Sequence, residues 1–405
     1  MTIRCTIGVL AYNEERNIVQ VLRSLVAQRL YACEVDEILV IASGCTDRTV
    51  PLAQEFARQH PMVRVVAEAE RAGKAAAINH LIALARSEVV VLVGADTLPD
   101  PLAVQHLVRP FADPTVGMTG ARVIPLNDPR TFLGMVVQML WRVHHILAQR
   151  WPKLGEMVAF RKVIDAIPVA SATDEVALEA LITARGYRLV YAPEAIVYNR
   201  GPQTYHDFLL QRRRIFAGHL QVAARDSYVA SSMPVLHLVW LAYAGVRRRP
   251  DLLVVALMAT LLELFARLLG WLDFRHGRPH HIWRQVRSTK QVAQPRQMGS
   301  LLFLQCRPAS VSTRQLRRVL HRIPPEHGKL LWWDYQQGQV IFLLPEEQLA
   351  PEALSARVRA LTGYLHRLGA RSSPRVVFYR TIQLANLYDV DDAQAPRPEL
   401  APSPL

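Results

Sequence analysis

The chain has 405 residues, 51% of them apolar, and a formal net charge of +14 at pH 7. This length and apolar content are sufficient for two or three domains with a large core. The positive charge suits anionic partners such as phosphates, nucleotides and acidic membrane surfaces. We expect no nucleic-acid partner, because no basic run alternates with aromatic residues as it does on nucleic-acid-binding surfaces.

Residues 1–225 alternate aliphatic runs with helical patterns. The runs that predict strands are, in chain order, "CTIGVLAY", "DEILVIAS", "VRVVAE" and "SEVVVLVGAD". The helices predicted between them cover "NEERNIVQVLRSLVAQ", "TDRTVPLAQEFARQ" and residues 73–85. Continuous aliphatic strands separated by helices predict an α/β fold, with a mainly parallel sheet and helices on both of its faces.

Polar residues follow three of these predicted strands. Asn13 and Glu14 follow the first strand, residues 43–47 follow the second, and Asp96 ends the fourth. Ligands of parallel sheets bind beyond the carboxyl ends of the strands, where the loops meet. Each cluster alone could be an ordinary helix cap or turn, but their succession favours a ligand site at this edge of the sheet.

Residues 228–275 contain two apolar stretches, "VASSMPVLHLVWLAYAGV" and "LLVVALMATLLELFARLLGWL", separated by "RRRP". The second is long enough to span a bilayer, but Glu263 and Arg267 lie near its middle. Their insertion cost of roughly 5 to 7 kcal/mol cancels the roughly 4 to 7 kcal/mol that the apolar side chains contribute. The two charges stand four residues apart and could pair on one helical face. We therefore expect a helical hairpin in the membrane surface, with two full spans or a soluble helix pair as alternatives.

A strand–helix–strand–strand–helix–strand order follows between residues 300 and 384. This order predicts a small α+β, ferredoxin-like accessory domain. The proline-rich end, "DDAQAPRPELAPSPL", predicts a disordered tail. The expected organisation is an α/β domain, a membrane-associated hairpin with a basic connector, the ferredoxin-like domain and the tail, at residues 1–225, 226–292, 296–385 and 386–405.

The cysteines and the N-terminus indicate the cellular compartment. Cys5, Cys33, Cys45 and Cys306 show no CxxC spacing, which is typical of reduced thiols in a cytosolic environment. The N-terminus runs directly into a predicted strand, so we expect no signal peptide. These features predict that the functional part of the chain faces the cytoplasm.

Seven short motifs occur in a particular order, namely "VLAYNEERNI", "SGCTDRT", "AGKAAAIN", "GADTLPDP", "GEMVAFRKV", "TDEVALEALITARGY" and "QRRRI". Together they resemble the inverting family 2 glycosyltransferases, over residues 4–220 and more weakly to residue 290. The resemblance implies a GT-A nucleotide-sugar-binding fold and a nucleoside diphosphate sugar donor, usually with uracil as its base. It also implies a divalent cation, Mg²⁺ or Mn²⁺, and a hydroxyl acceptor on a lipid-linked or cell-envelope glycan.

By this resemblance, nine residues form the nucleotide-sugar site: Ala11, Tyr12, Asn13, Glu14, Ser43, Gly73, Lys74, Asn79 and Asp96. Lys74 opens a predicted helix, and a lysine at a helix N-terminus suits a diphosphate, although a solvated lysine is the alternative. Asp96 has the metal-binding place of the family's DxD motif, in which Gly94 replaces the first acid. One carboxylate together with substrate phosphates is an acceptable shell for Mg²⁺ or Mn²⁺.

Two adjacent acids, Asp174 and Glu175, open the predicted helix of "TDEVALEALITARGY". An inverting transfer needs one carboxylate to take the proton of the acceptor hydroxyl. By the register of the family's TED motif Glu175 has the place of this base, although Asp174 could also reach and both could be first-turn acids favoured by the helix dipole. Four further residues are assigned by resemblance to the acceptor or the diphosphate, which guanidinium groups suit: Glu156, Gln211, Arg212 and Arg214.

The expected function is therefore inverting sugar transfer by an enzyme at the cytoplasmic face of the cell membrane. A catalytically silent, membrane-bound relative that acts as a scaffold or binding subunit is the alternative, because acids of the family are missing at positions 42, 43 and 94. A nucleotidyltransferase on a similar sheet is disfavoured by the acid pair and by the "QRRRI" segment.

Overall fold

The computed structural model describes residues 2–128, 131–233, 253–278, 299–307, 329–334, 339–345 and 371–377. The chain divides into two compact units, residues 1–292 and 293–405. The first unit holds all the residues expected at the candidate site.

The strands of the first unit are β1 Ile3–Ala11, β2 Cys33–Ser43, β3 Val63–Glu68, β4 Val89–Gly94, β5 Thr97–Pro99, β6 Val116–Pro125, β7 Met157–Arg161 and β8 Arg188–Asn199. Its α-helices are α1 Ile18–Val26, α2 Thr49–Gln59, α3 Lys74–Leu84, α4 Ala103–Val108, α5 Phe132–Arg150, α6 Asp174–Ala184, α7 Tyr205–Asp226 and α8 Leu253–Arg275, with a 3₁₀ helix at Arg109–Ala112. The four strands and three helices predicted first in the chain are confirmed as β1 to β4 and α1 to α3. Only α1 differs clearly, because it begins at Ile18, after a turn in which Asn13 has a φ of 52°.

The eight strands form one mixed sheet in the order β3-β2-β1-β4-β7-β6-β8-β5. The half formed by β3, β2, β1 and β4 is parallel, as predicted. Strand β7 runs antiparallel between β4 and β6, whereas β8 is parallel to β6. Because β7 is reversed, its beginning lies at the edge where β1, β2 and β4 end, and residue 156 comes to the predicted ligand edge.

Helix α3 packs closely on the sheet and so places its N-terminus at this edge. It is buried along most of its length, through Ala75, Ala77, Ile78, Leu81 and Ile82. The approach depends on Gly8 of β1, because a Cβ atom added there would lie 2.1 Å from Leu81 Cδ2. The close packing holds Lys74, the first residue of α3, beside the ends of the strands.

Helix α8 packs on α7 through charged side chains and leaves an apolar face exposed. Glu263 accepts hydrogen bonds from Arg212 at 2.7 and 2.8 Å and from Arg267 at 2.9 Å, so the predicted pairing of Glu263 with Arg267 is confirmed. Arg213 forms a second ion pair with Asp273. By length and composition α8 is the one helix of the described residues that could cross a membrane. Most of the first apolar stretch of the expected hairpin lies outside the described residues.

The described part of the second unit is a four-stranded sheet. Its strands are β9 Gly299–Arg307, β10 Lys329–Asp334, β11 Gln339–Pro345 and β12 Arg371–Val377. They are antiparallel and follow the order β10-β11-β9-β12, which is the strand order of a ferredoxin-like sheet. The two helices of that prediction, and the expected tail at residues 386–405, lie outside the described residues.

Candidate active site

The loops after β1 and β2 are joined by side-chain hydrogen bonds. Asn13 accepts from the backbone N–H of Thr46 at 2.8 Å and donates to the Thr46 hydroxyl at 3.1 Å. The backbone N–H of Glu14 donates to the Thr49 hydroxyl at 2.7 Å, and its buried carboxylate accepts from Asn17. Asn13 and Glu14, both predicted at the nucleotide-sugar site, therefore hold these two loops together, and the N-cap of α1 is Asn17.

The loop before α3 contacts the loops that follow β1 and β2. The guanidinium carbon of Arg71 lies 3.8 Å from the centre of the Tyr12 ring, a cation–π contact. The Ser43 hydroxyl donates to the backbone oxygen of Glu70 at 3.4 Å. Gly44 has a φ of 60°, and a Cβ atom there would lie 2.6 Å from the Arg71 nitrogen. Arg71 was not among the predicted site residues, although its place in "RAGK" beside Gly73 was a usable signal.

Lys74 connects the start of α3 to the acid pair of α6. Its Nζ atom lies 2.5 Å from Glu175 Oε1 and 3.5 Å from Asp174 Oδ2. Burial would lower the pKa of Lys74, but the charges of Glu175 and Asp174 raise it above its ordinary value. Gly73, with a φ of 96°, lets the chain turn into α3 at this point. Lys74 is therefore held as a cation at the ligand edge of the sheet.

Asn79 of the same helix has a different environment from Lys74. Its side chain donates to the backbone oxygen of Ile167 at 2.8 Å and accepts from the Ile167 N–H at 2.7 Å. This pair of bonds fastens the loop before α6 to α3. Asn79 thus holds the loop before α6 in place and makes its hydrogen bonds to Ile167.

The two acids at the start of α6 differ in exposure and in the direction in which their pKa values are shifted. The Asp174 side chain is 0% exposed, and burial raises its pKa to about 6. The Glu175 side chain is 16% exposed. Burial would raise the pKa of Glu175, but the Lys74 ammonium outweighs burial and holds it below its ordinary value. Glu175 therefore has some accessible surface at this edge of the sheet, whereas Asp174 has none.

Asp96 and Glu156 add two partly buried carboxylates to this cluster. Burial raises the pKa of Asp96, and the Lys74 charge opposes this shift. Burial, together with the charges of Asp96 and Glu175, raises the pKa of Glu156 to about 7. Among the described residues, no group of three or more histidine, cysteine or acidic side chains is arranged to hold a metal ion.

The arginines of α7 are divided between two faces of the helix. Burial lowers the pKa of Arg214 to about 10, opposed by the charges of Asp174, Glu175 and Glu156, so Arg214 belongs to the cluster. Arg212 lies about 200° away around the helix, where it pairs with Glu263 of α8. The structure thus turns Arg212 away from the acid cluster, although it was predicted at the diphosphate or acceptor. Gln211 is partly buried on α7.

Comparison with known proteins gives consistent results. The family model "Glycosyl transferase family 2" matches residues 6–180. The probable glycosyltransferase YdaM of Bacillus subtilis is 27% identical over 233 residues, which are 53% of this chain and 55% of that protein. The poly-beta-1,6-N-acetyl-D-glucosamine synthase of Staphylococcus aureus is 27% identical over 231 residues, which are 54% of this chain and 55% of that protein. The chain thus spans about half the length of each relative.

A solved structure extends the comparison to the fold. The mannosyltransferase PcManGT of Pyrobaculum calidifontis, in complex with GDP-Man and Mn²⁺, has a TM-score of 0.50 at 23% identity. The match covers 69% of this chain and 88% of that protein. The mixed sheet is therefore that of the GT-A glycosyltransferases, as predicted. With the matched family model, this shows that residues 6–180 form a glycosyltransferase domain of family 2.

Proposed function

We propose that this protein is a metal-dependent, inverting glycosyltransferase. It would transfer a sugar from a nucleoside diphosphate sugar to a hydroxyl of a lipid-linked or cell-envelope glycan, at the cytoplasmic face of the membrane. The observation that carries the proposal is the meeting of Lys74, Arg214, Asp96 and Glu175 at the ligand edge of the sheet. This set combines cations for a diphosphate, a carboxylate for a metal and a carboxylate for a proton.

The cations would bind the donor's diphosphate. Lys74 stands at the N-terminus of α3, where backbone N–H groups also favour an anion. Arg214 can offer a planar fork to phosphate oxygens. A diphosphate that binds Lys74 would compete with Glu175 for the ammonium group and so free Glu175 for the acceptor. Donor binding would then prepare the base for the reaction.

Asp96 fits a divalent cation because its carboxylate is a hard oxygen ligand at the ligand edge of the sheet. When bound, the cation would stabilise the charge of the departing nucleoside diphosphate. The acceptor oxygen attacks the anomeric carbon as the bond from this carbon to the diphosphate oxygen breaks. Glu175 takes the proton of the acceptor hydroxyl. This single displacement inverts the anomeric configuration.

Two observations bear on the base of the donor nucleotide, and they favour different bases. The resemblance to the family suggests uracil, whereas the solved mannosyltransferase was bound to GDP-Man. In the present chain Ala42 and Ser43 replace the acids of the family, and Ser43 donates to a backbone oxygen. We therefore propose that the base is held by loop backbone and by the Tyr12–Arg71 pair.

The test is calorimetric titration with UDP, GDP, ADP, CDP and dTDP in the presence of Mn²⁺. We expect one nucleotide to bind with a dissociation constant of about 1 μM to 1 mM, the usual range for enzyme substrates. Binding of none of them would contradict the proposal. A protein that binds one nucleoside diphosphate but does not cleave the matching nucleotide sugar would instead be the catalytically silent binding subunit. The acids missing at positions 42, 43 and 94 are the observation that favours this alternative.

The membrane part of the proposal is supported by α8. Ten exposed apolar side chains line one face of α8: Leu253, Val254, Leu257, Met258, Leu261, Leu264, Phe265, Leu268, Trp271 and Leu272. The charged side chains Glu263, Arg267 and Asp273 lie buried against α7 instead. Arginines stand before α8 at residues 247–249 and after it at Arg278. An apolar face with basic flanks suits the interface of an anionic bilayer.

Flotation with vesicles of anionic phospholipid is expected to carry the full chain to the top of the gradient. Replacing Leu261 and Phe265 together by aspartate should reduce the bound fraction at least ~10-fold, because each charge costs roughly 2.5 to 3.5 kcal/mol in hydrocarbon. Tyr31→Asp, at an exposed site outside α8, serves as the control and should bind as the wild type does. Equal flotation of all three proteins would contradict a membrane-facing α8.

A further inference from the structure

The edge between β4 and β7 places a carboxylate beside the gap in the DxD motif. The antiparallel register pairs Val93 of β4 with Met157 of β7. The next residue of β4 is Gly94, which stands where the family has its first acid, and the residue before Met157 is Glu156. Glu156 therefore lies immediately before β7, at the end of the β4–β7 pairing where Gly94 ends β4. A carboxylate thus stands close in the fold to the position at which β4 lacks one.

Gly94 also makes room for the carboxylate of Asp96. A Cβ atom added at Gly94 would lie 2.7 Å from Asp96 Oδ1, which is closer than a non-bonded carbon and oxygen can come without one of them moving. An aspartate at position 94 would therefore displace Asp96 from its present position. A second carboxylate that reaches this place from outside β4 would avoid this conflict.

The backbone and the surrounding charges both single out Glu156. It is one of three non-glycine residues with a positive φ in the described part of the chain, at 60°, a conformation that costs roughly 1–2 kcal/mol. The charges of Asp96 and Glu175 disfavour the ionised form of the Glu156 carboxyl group, while those of Lys74 and Arg214 favour it. All four side chains therefore lie near Glu156.

We infer that Glu156 is the second carboxylate ligand of the divalent cation and replaces, from β7, the acid that is missing at Gly94. This assignment rests on the proposed function, because the cation is the one that accompanies a nucleoside diphosphate. It changes the role of Glu156 from the contact with the acceptor or the diphosphate that the resemblance implied to that of a metal ligand. Two carboxylates leave most of a six-coordinate shell to diphosphate oxygens and water, so cation affinity should rise strongly when the nucleotide is bound.

The experiment measures Mn²⁺ affinity directly, by the loss of the electron paramagnetic resonance signal of free Mn²⁺. The full chain is titrated with Mn²⁺ alone and with Mn²⁺ plus whichever nucleoside diphosphate binds in calorimetry. Glu156→Gln has the same shape as glutamate but no charge, and it should weaken Mn²⁺ binding about tenfold or more in the presence of the nucleotide. Glu156→Asp, which keeps the carboxylate, should recover part of this affinity.

Glu88→Gln is the matched control. Glu88 is exposed just before β4, at the end of that strand far from Gly94, so this variant should bind Mn²⁺ as the wild type does. Melting curves with and without Mn²⁺ give a second readout, and we expect the cation to raise the melting temperature of the wild type more than that of Glu156→Gln.

Two results would count against the assignment in different ways. Mn²⁺ affinity unchanged in Glu156→Gln, with the nucleotide still bound, would overturn it and leave the proposed function standing. A wild type that binds neither nucleotide nor Mn²⁺ would overturn the proposed function itself. If Glu156→Gln does not fold, Glu156→Asp decides, because a shortened metal ligand weakens Mn²⁺ binding and an acceptor contact does not.

Discussion

Replacement of Glu175 by glutamine is expected to lower the rate of sugar transfer by about 10² to 10⁴-fold, the range that a positioned general base contributes. The amide keeps the shape of the side chain but cannot take the proton of the acceptor hydroxyl. Donor affinity should be retained or slightly increased, because the Glu175 carboxylate, 2.5 Å from Lys74, no longer competes with the diphosphate for the ammonium group. Single-turnover transfer and calorimetric donor binding measure the two effects separately.

Asp174→Asn is the control for this prediction. Asp174 is fully buried and lies 3.5 Å from Lys74, so it positions the lysine and has no surface for the acceptor. We expect a smaller loss of rate than in Glu175→Gln. If transfer is abolished in Asp174→Asn but nearly normal in Glu175→Gln, then Asp174 is the general base and Glu175 is not.

Asp96→Asn is expected to remove the dependence of donor binding on the metal ion. A cation at a departing diphosphate is worth several kcal/mol, so transfer should fall about 100-fold or more. Donor affinity is measured with Mn²⁺ and with a chelator. For the wild type it should drop when the chelator is added, whereas for Asp96→Asn the two values should be similar and low.

Asp100 offers a matched control four residues further along the same segment. Its carboxylate accepts a hydrogen bond from Tyr198 at 3.4 Å and from the backbone N–H of Leu102 at 3.2 Å, and it is not part of the acid cluster. Asp100→Asn should retain the metal dependence of the wild type. If Asp96→Asn retains it as well, the cation is bound elsewhere and the account of the metal site is wrong.

The parallel half of the sheet could be predicted because each of its strands is a short aliphatic run followed by a polar loop. Such runs are typical of strands buried on both faces, and their ends point to the ligand edge. The same reasoning placed Lys74 at a helix start and Asp96 at a strand end, and the structure has both there. These features depend on local pattern alone.

Other features depend on contacts between distant parts of the chain. Strand direction is not encoded in the aliphatic pattern of β7, so the placement of Glu156 beside the end of β4 could not be predicted from the sequence. The ion pair of Lys74 with Glu175 joins residues 101 positions apart. Arg212 matched a motif, but its partner Glu263 lies on α8, and the packing of α8 on α7 decided which way this arginine faces.

The proposal that this protein is a metal-dependent glycosyltransferase is best tested by measuring nucleoside diphosphate release from a panel of nucleotide sugars. The wild type is incubated with UDP-, GDP- and dTDP-linked sugars in the presence of Mn²⁺ and, in parallel, with a chelator. We expect release from one donor, dependent on Mn²⁺ and lost in Glu175→Gln and Asp96→Asn. Release that is equal in the wild type and both variants, or from no donor although a nucleotide binds, would contradict it.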